Sequence, residues 1–337
     1  MVFYYKKSRL FYFNAVWIGG FGNFMRTASF THDSVLLFEA VEALAIRPDG
    51  LYIDGTYGRG GHSALILQAL GTQGQLVVID KDPSAIAHAQ HIYGADPRVK
   101  IWQGSFKDFE QALTALQLSQ PVNGLLLDLG VSSPQLDDAE RGFSFMRQGA
   151  LDMRMNPEQG MSAAAWLNSA AEAEIADVLW RYGEERFSRQ IARKIVQTRH
   201  AQPLSTTLQL AELIAQTLPK KEPHKHPATR SFQAIRIKIN EELQDIETCL
   251  AKSLTYLAIG GRLSIISFHS LEDRIVKQFM REYSTPKRLP KNLPILDDQT
   301  EIPPLKTLGK AVRAGEEEIA TNIRARSALL RVAERMR

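Results

Sequence analysis

The chain has 337 residues, 44% hydrophobic and 23% charged, enough apolar material for one sizeable core and a smaller second one. Its 41 Lys and Arg against 37 Asp and Glu give a net charge of +4 and a pI near 9.0, too mild a bias to establish a polyanionic partner. Cys249 is the single cysteine, which excludes a disulfide framework within the chain and fits a reducing cytoplasm.

The first 30 residues set Phe3, Tyr4, Tyr5, Phe11, Tyr12, Phe13 and Trp17 beside Lys6, Lys7 and Arg9. The apolar stretch from Leu10 to Met25 is interrupted by Asn14, three glycines and Asn23. It falls short of the roughly 20 residues a membrane helix needs, so no membrane association is expected. A basic segment before an apolar one also has the order of a secretory signal, but the rest of the chain reads as cytoplasmic. The segment is expected to be a disordered or loosely docked extension, with Met25 a candidate for the true start.

From Ser34 onward helical and strand periods alternate, the pattern of a parallel sheet covered by helices on both faces. A helix is predicted over 35–44, a strand over 51–53, a helix over 62–70 and a strand over 75–79. A helix over 84–91, a strand over 99–103, a helix over 109–116 and a strand over 124–129 follow. Leu125, Leu126 and Leu127 are apolar without alternation, as in a strand buried on both faces. Residues 138–228 then read as an irregular segment and four consecutive helices, over 162–167, 172–182, 185–198 and 207–218, an inserted helical domain. The sheet resumes with one long helix over 232–257, a strand over 262–268 and a helix over 271–283. The five prolines between Ser284 and Pro304 predict a loop.

Asp54-Gly-Thr-Tyr-Gly-Arg-Gly-Gly-His62 joins the first strand to its helix. Such a loop lets backbone N–H groups approach a ligand, and the helix presents its positive end there, which suits a nucleoside cofactor. Asp80 ends the second strand about twenty positions on, where a carboxylate can accept from both ribose hydroxyls. Asp82 is better placed to cap the helix that starts at Pro83. The fourth strand ends in Asp128-Leu-Gly-Val-Ser-Ser-Pro-Gln135. Ser133-Pro134-Gln135 is similar in position to the Asn/Asp/Ser-Pro-Pro-aromatic motif of methyltransferases that act on exocyclic amines, without the second proline and the aromatic. Such an amine has its lone pair delocalised into the ring. Carbonyls of a rigid proline turn, aided by Asp128, would grip its hydrogens and free that pair.

His269, after the fifth strand, is a further candidate for the active site. His200, His224 and His226 lie in or near a basic loop without cysteines or paired acids, so no metal site is expected. Residues 219–238 hold six Lys or Arg against Glu222, and the tail from Arg324 to Arg337 holds five against Glu334. Each reads as a solvated face or a phosphate-tracking surface.

The glycine loop, Arg141-Gly-Phe-Ser-Phe, Leu151-Asp-Met-Arg-Met155, Tyr182-Gly-Glu-Glu-Arg-Phe187, Arg230-Ser-Phe-Gln-Ala234, Ser267-Phe-His-Ser-Leu-Glu-Asp-Arg274 and Arg324-Ala-Arg-Ser-Ala328 stand together in this chain. With these strings it resembles the bacterial small-subunit ribosomal RNA cytosine-N4 methyltransferases, from about His32 almost to the end. The resemblance implies an α/β fold, a Rossmann-like class I methyltransferase sheet over 31–137 and 229–337 with the helical insert at 138–228 recognising substrate. It implies S-adenosylmethionine as cofactor, held by Gly60, Gly61, His62, Asp80, Phe106, Asp128 and Gln135, with Phe106 against the adenine. Asp128, Ser133, Pro134 and His269 would serve catalysis on a cytidine N4 amine, and Lys220, Lys221, Arg230 and Arg236 would track RNA phosphates. The partner would be ribosomal RNA or the small subunit, and some members dimerise. Phe38, Ala150 and Ile323 depart from the family pattern, away from the cofactor set. A nicotinamide oxidoreductase shares the glycine loop and Asp80, and a non-catalytic RNA-binding factor could share the fold.

Overall fold

The computed structural model describes residues 34–218, 226–286 and 302–337. The N-terminal extension, Lys220, Lys221, His224 and most of the proline-rich loop lie outside them. The first half alternates as its periodicity predicts: α1 (Leu37–Ala43), β1 (Leu51–Asp54), α2 (Gly61–Ala69), β2 (Gln75–Asp80), α3 (Pro83–Tyr93), β3 (Val99–Gln103), α4 (Phe109–Ala115) and β4 (Val122–Asp128). The helices α5 (Ser133–Asp137), α6 (Ala163–Ser169), α7 (Glu172–Gly183), α8 (Ser188–Ala201), α9 (Thr207–Thr217), α10 (Thr229–Asn240) and α11 (Glu242–Tyr256) come next. The chain closes with β5 (Leu257–Ser267), α12 (Ser270–Ser284), β6 (Leu305–Thr307), β7 (Val312–Arg313), α13 (Glu316–Thr321) and β8 (Leu329–Arg335).

The sheet order is β3-β2-β1-β4-β5-β8-β6, parallel through β5, with β8 antiparallel between β5 and β6 and β7 also paired to β8. Side chains alternate across it with the two-residue period of a strand. Tyr52, Leu76, Val78 and Leu126 join the apolar cluster under α1, α2 and α3. Leu51, Ile53, Val77, Ile79, Leu125 and Leu127 join the one under α4, α11 and α12. Strand order reverses between β1 and β4, the crevice where open parallel sheets bind ligands.

The helical layer has an apolar cluster of its own, including Leu151, Leu167, Leu179, Ile191 and Ile214, yet lies in the same compact unit as the sheet. Phe232 and Ile235 of α10 belong to that cluster, so the layer reaches Asn240 rather than ending at residue 228. The single helix expected over 232–257 is two helices, broken at Glu241, which takes the left-handed φ of 54°. Tertiary bonds force the break: Asn240 accepts from Met155 N (2.7 Å) and donates to Met153 O (2.7 Å). α8 starts at Ser188, three residues later than expected, because the buried Glu185 side chain accepts from Phe187 N (3.0 Å) in the preceding turn. Most of the basic tail is β8, an interior strand, with Arg324 and Arg326 in the turn before it. Arg331 Nε donates to Asp273 at 2.6 Å, and Arg335 donates to the carbonyls of Thr255 and Leu257.

Candidate active site

A cleft of about 310 Å³ opens at the carboxyl ends of β1, β2 and β4. Its floor is Gly55 to Arg59 of the glycine loop with His62, whereas Gly60 and Gly61 do not line it themselves. Gly60 sits at φ 78°, where a side chain would also lie 2.7 Å from the Tyr57 ring. A Cβ on Gly61 would fall 2.1 Å from Ser34 Oγ and 3.1 Å from its Cβ, so a side chain there would make Ser34 give way. Asp54, buried at the end of β1, accepts from Ser63 Oγ (2.6 Å) and Thr56 N (3.2 Å), which fixes the turn.

Asp80 lines the cleft as expected and accepts from Gly58 N (2.8 Å) and Asp82 N (2.9 Å). It therefore braces the glycine loop from the next strand while keeping lone pairs for a ligand. Asp82 is the cap, accepting from Ser84 N at 2.9 Å. Its other oxygen takes Gln135 Nε2 (2.9 Å) and Arg141 Nη1 (2.7 Å). Burial opposes ionisation of Asp82, but these donors outweigh it and hold the carboxyl below its usual range. Gln135 is buried in the cleft wall, with its Oε1 accepting from Ser132 N (3.0 Å). Arg141 also donates to Arg154 O (3.1 Å) and Met155 O (2.9 Å), so two of the sequence strings quoted above meet behind the cleft. Phe106 lines the opposite wall, half-buried after β3.

Asp128 ends β4 with its amide on Thr56 Oγ1 (2.6 Å) and its side chain 23% exposed. Oδ1 has no hydrogen-bond partner among the described residues, and Oδ2 lies 3.9 Å from His62 Nδ1. Burial, then the charges of Asp54, Glu272 and Glu318, push this carboxyl well above the usual range. Burial likewise raises Asp54 and Asp80 to about 6. His62 is buried and pushed down to about 4, with Nε2 unpartnered. Its ring is then neutral at pH 7. The stability this neutrality supports is complete above the ordinary value of 6.5 and is lost as pH falls toward about 4. An NMR titration of the His62 ring is expected to give a midpoint near 4; a midpoint at the ordinary value would contradict its burial.

Ser133 and Pro134 open α5 beside Asp128, and both line the cleft. His269 does not line it. Its ring is the N-cap of α12, facing the Glu272 amide (3.5 Å) and Glu272 Oε1 (3.0 Å), so the expected catalytic place is a capping place. Arg236 also departs from expectation: its guanidinium is held by Glu242 (2.8 and 2.7 Å), turned into the cleft wall instead of toward solvent phosphate. Arg230 lies on α10 beside Trp180 and Arg186, on the outer side of the helical layer. Glu242, His269 and Glu272 come within metal-ligand reach of one another, but Arg236 already supplies a cation there.

Sequence reasoning missed Asp54, Thr56, Arg324 and Glu272. Asp54 had a signal, standing at a strand end directly before the glycines. Glu272 had one in its place three residues after the capping position. Arg324 had a signal in the basic tail and in its own string, but nothing local that set it apart from the other four arginines there.

The orphaned Asp128 Oδ1 and His62 Nε2, the exposed backbone at Gly55 and Gly58 and the Asp80 and Asp128 carboxylates in the lining fit a cationic nucleoside ligand. A family model described as the MraW methylase family matches residues 29–336. The chain belongs to the MraW methylase family. It is a methyltransferase whose methyl donor is S-adenosylmethionine. The ribosomal RNA small subunit methyltransferase H of Thioalkalivibrio sulfidiphilus (strain HL-EbGR7) is 58% identical over 305 residues, 90% of this chain and 97% of that protein. Among solved structures, an rRNA methylase from Streptococcus thermophilus aligns with 91% of this chain and 99% of its own, at TM-score 0.41 and 9% identity. NSun6 from Pyrococcus horikoshii, solved with SFG, aligns with 91% of this chain and 53% of its own, at TM-score 0.41 and 12% identity. Family membership sets aside the oxidoreductase reading.

Proposed function

We propose that this methyltransferase modifies the N4 amine of one cytidine in small-subunit ribosomal RNA, the base being drawn out of its stack into the cleft. The observation that carries the reading is the free Asp128 Oδ1 beside the Ser133-Pro134 turn, an acceptor left unspent at the strand end facing the glycine loop. The 58% identical relative named for small-subunit ribosomal RNA supports the substrate class. Ribosomal RNA or the small subunit is the proposed partner, in the cytoplasm. Pairing of two copies is proposed only from the family likeness. No described helix is long and apolar enough to cross a membrane.

S-adenosylmethionine supplies an electrophilic methyl group on a sulfonium. Gly60, Gly61 and His62 would approach it through the loop and α2, Asp80 would accept from the ribose hydroxyls, and Phe106 would cover the adenine. Asp128 and the turn at Ser133 and Pro134 would accept the amine hydrogens, so that nitrogen directs its lone pair at the methyl. Asp128 would then take the proton that the methylated nitrogen sheds. Positioning and exclusion of water provide most of the acceleration, since reacting atoms must be held about 3 to 3.5 Å apart.

Mapping methylated nucleosides in small-subunit RNA from cells with and without the gene tests the assignment. One N4-methylated cytidine is expected to disappear with the gene; an unchanged map would overturn the reading. Asp80→Ala is expected to weaken S-adenosylhomocysteine binding by roughly 10- to 100-fold in calorimetry, the loss for hydrogen bonds to a charged group. An unchanged Kd would remove Asp80 from the ribose site.

A further inference from the structure

Residues 316–327 reach the cleft from the far end of the chain. Glu318 Oε1 accepts from Leu36 N (2.7 Å), and its charge is felt at Asp128. The turn after α13 then brings Asn322, Arg324 and Ser327 into the cleft lining beside Ser133 and Pro134. Asn322 Oδ1 accepts from Arg324 N (3.2 Å) and fixes where the arginine leaves the backbone.

Three arginines line the cleft among the described residues, and they differ in what they hold. Arg59 donates to the carbonyls of Gly58 and Ser84. Arg236 is neutralised by Glu242. Arg324 donates through Nη1 to Ser133 Oγ, 191 positions away, and among the described residues to no carboxylate. A guanidinium has five donors in a planar fork. That leaves four N–H groups and a full positive charge at the turn that faces the substrate amine.

We propose that Arg324 grips an RNA phosphate flanking the target cytidine, with Ser133 setting the angle of its fork. The inference rests on the reading of the substrate as RNA. Arg324 stands at the strand-end turn after β4, whereas the nucleoside cofactor is assigned to the glycine loop and Asp80, so a substrate anion is its natural partner. The guanidinium would contribute the electrostatic part of RNA binding inside the cleft, and Arg324 would be a substrate-binding residue.

The test measures RNA affinity across a salt series and S-adenosylhomocysteine affinity by calorimetry, for wild type, Arg324→Ala and Arg324→Lys. The RNA is presented as small ribosomal subunits purified from cells lacking the gene, so that the target cytidine is unmethylated. Arg324→Ala is expected to weaken RNA binding on the order of 10-fold, as for one lost charge-assisted contact. It is also expected to flatten the slope of log K against log salt by about 0.7 to 0.9, as for one lost phosphate contact. S-adenosylhomocysteine affinity should stay at the wild-type value. Arg324→Lys keeps the charge but not the fork, so it should hold most of the slope and lose part of the affinity, and it carries the test if the alanine variant does not fold. An unchanged salt slope overturns the proposal. So does a loss confined to S-adenosylhomocysteine, which would place the cofactor's carboxylate on Arg324. Failure of wild type itself to bind or methylate those subunits overturns the RNA reading, separately from any ratio between variant and wild type.

Discussion

Asp128→Ala is expected to lower kcat by about 10²- to 10⁴-fold, the range for a positioned proton acceptor. The reason is geometric. The Asp128 amide is pinned to Thr56 Oγ1 at 2.6 Å, so the side chain leaves the strand end at a fixed angle, and its Oδ1 has no acceptance left to satisfy within the described chain. Asp128→Asn keeps the shape and one acceptor but cannot take a proton, so it separates gripping from proton transfer. Burial and the neighbouring Asp54, Glu272 and Glu318 push the carboxyl well above its usual range. The ionised form is the acceptor, so kcat should climb with pH through that raised value and level off above it. The climbing limb should vanish in Asp128→Asn. Wild-type kcat in either variant would contradict the role, and a profile rising only near the ordinary carboxylate range would contradict the crowding.

How much of this could be read from the chain depends on how locally each feature is encoded. The glycine loop, Asp80, Asp82 and Asp128 are each fixed by a strand end and the few residues beside it, and the alternation of periods predicts the strand ends. Their places in the cleft follow from parallel-sheet topology alone. Asp82 capping α3 was legible for the same reason, since Pro83 at the helix start marks the cap. His269 misled because a residue just after a strand is also just before a helix, and only the packing of Glu272 back onto its ring decides between the two. The tail misled through composition. Five arginines in fourteen residues read as a charged surface, yet β8 buries Leu330 on one face of the sheet and Ala333 on the other, while Arg331 pairs with Asp273 of α12. Arg324 depends on a strand pairing between β5 and β8 that places residues 191 positions apart in contact. No local pattern contains that pairing.

The break between α10 and α11 was invisible for a further reason: the apolar period runs straight through it, and only the tertiary bonds of Asn240 and the buried pair of Arg236 and Glu242 mark it. Glu242→Ala is accordingly expected to destabilise the fold by about 3 to 5 kcal/mol, because it leaves the Arg236 guanidinium buried without its carboxylate. Arg236 comes from the last turns of α10 and Glu242 from the first residue of α11, so their two bonds at 2.8 and 2.7 Å span the left-handed Glu241. Glu272 lies 4.0 Å from the same guanidinium, with its Oε2 accepting from Phe268 N at 2.8 Å. At 4.0 Å, with one of its oxygens committed to the Phe268 amide, Glu272 does not make the fork-to-fork pair. Denaturant unfolding monitored on purified protein gives the number. The double variant Arg236→Met with Glu242→Leu is the informative partner, since replacing a buried ion pair by apolar side chains of similar volume is often close to neutral. Recovery of most of the loss in the double variant would assign the cost to the orphaned charge. A loss below about 1 kcal/mol for Glu242→Ala would mean that water reaches the guanidinium, and that Asn240 with its bonds to Met153 and Met155 holds the kink without help from the pair.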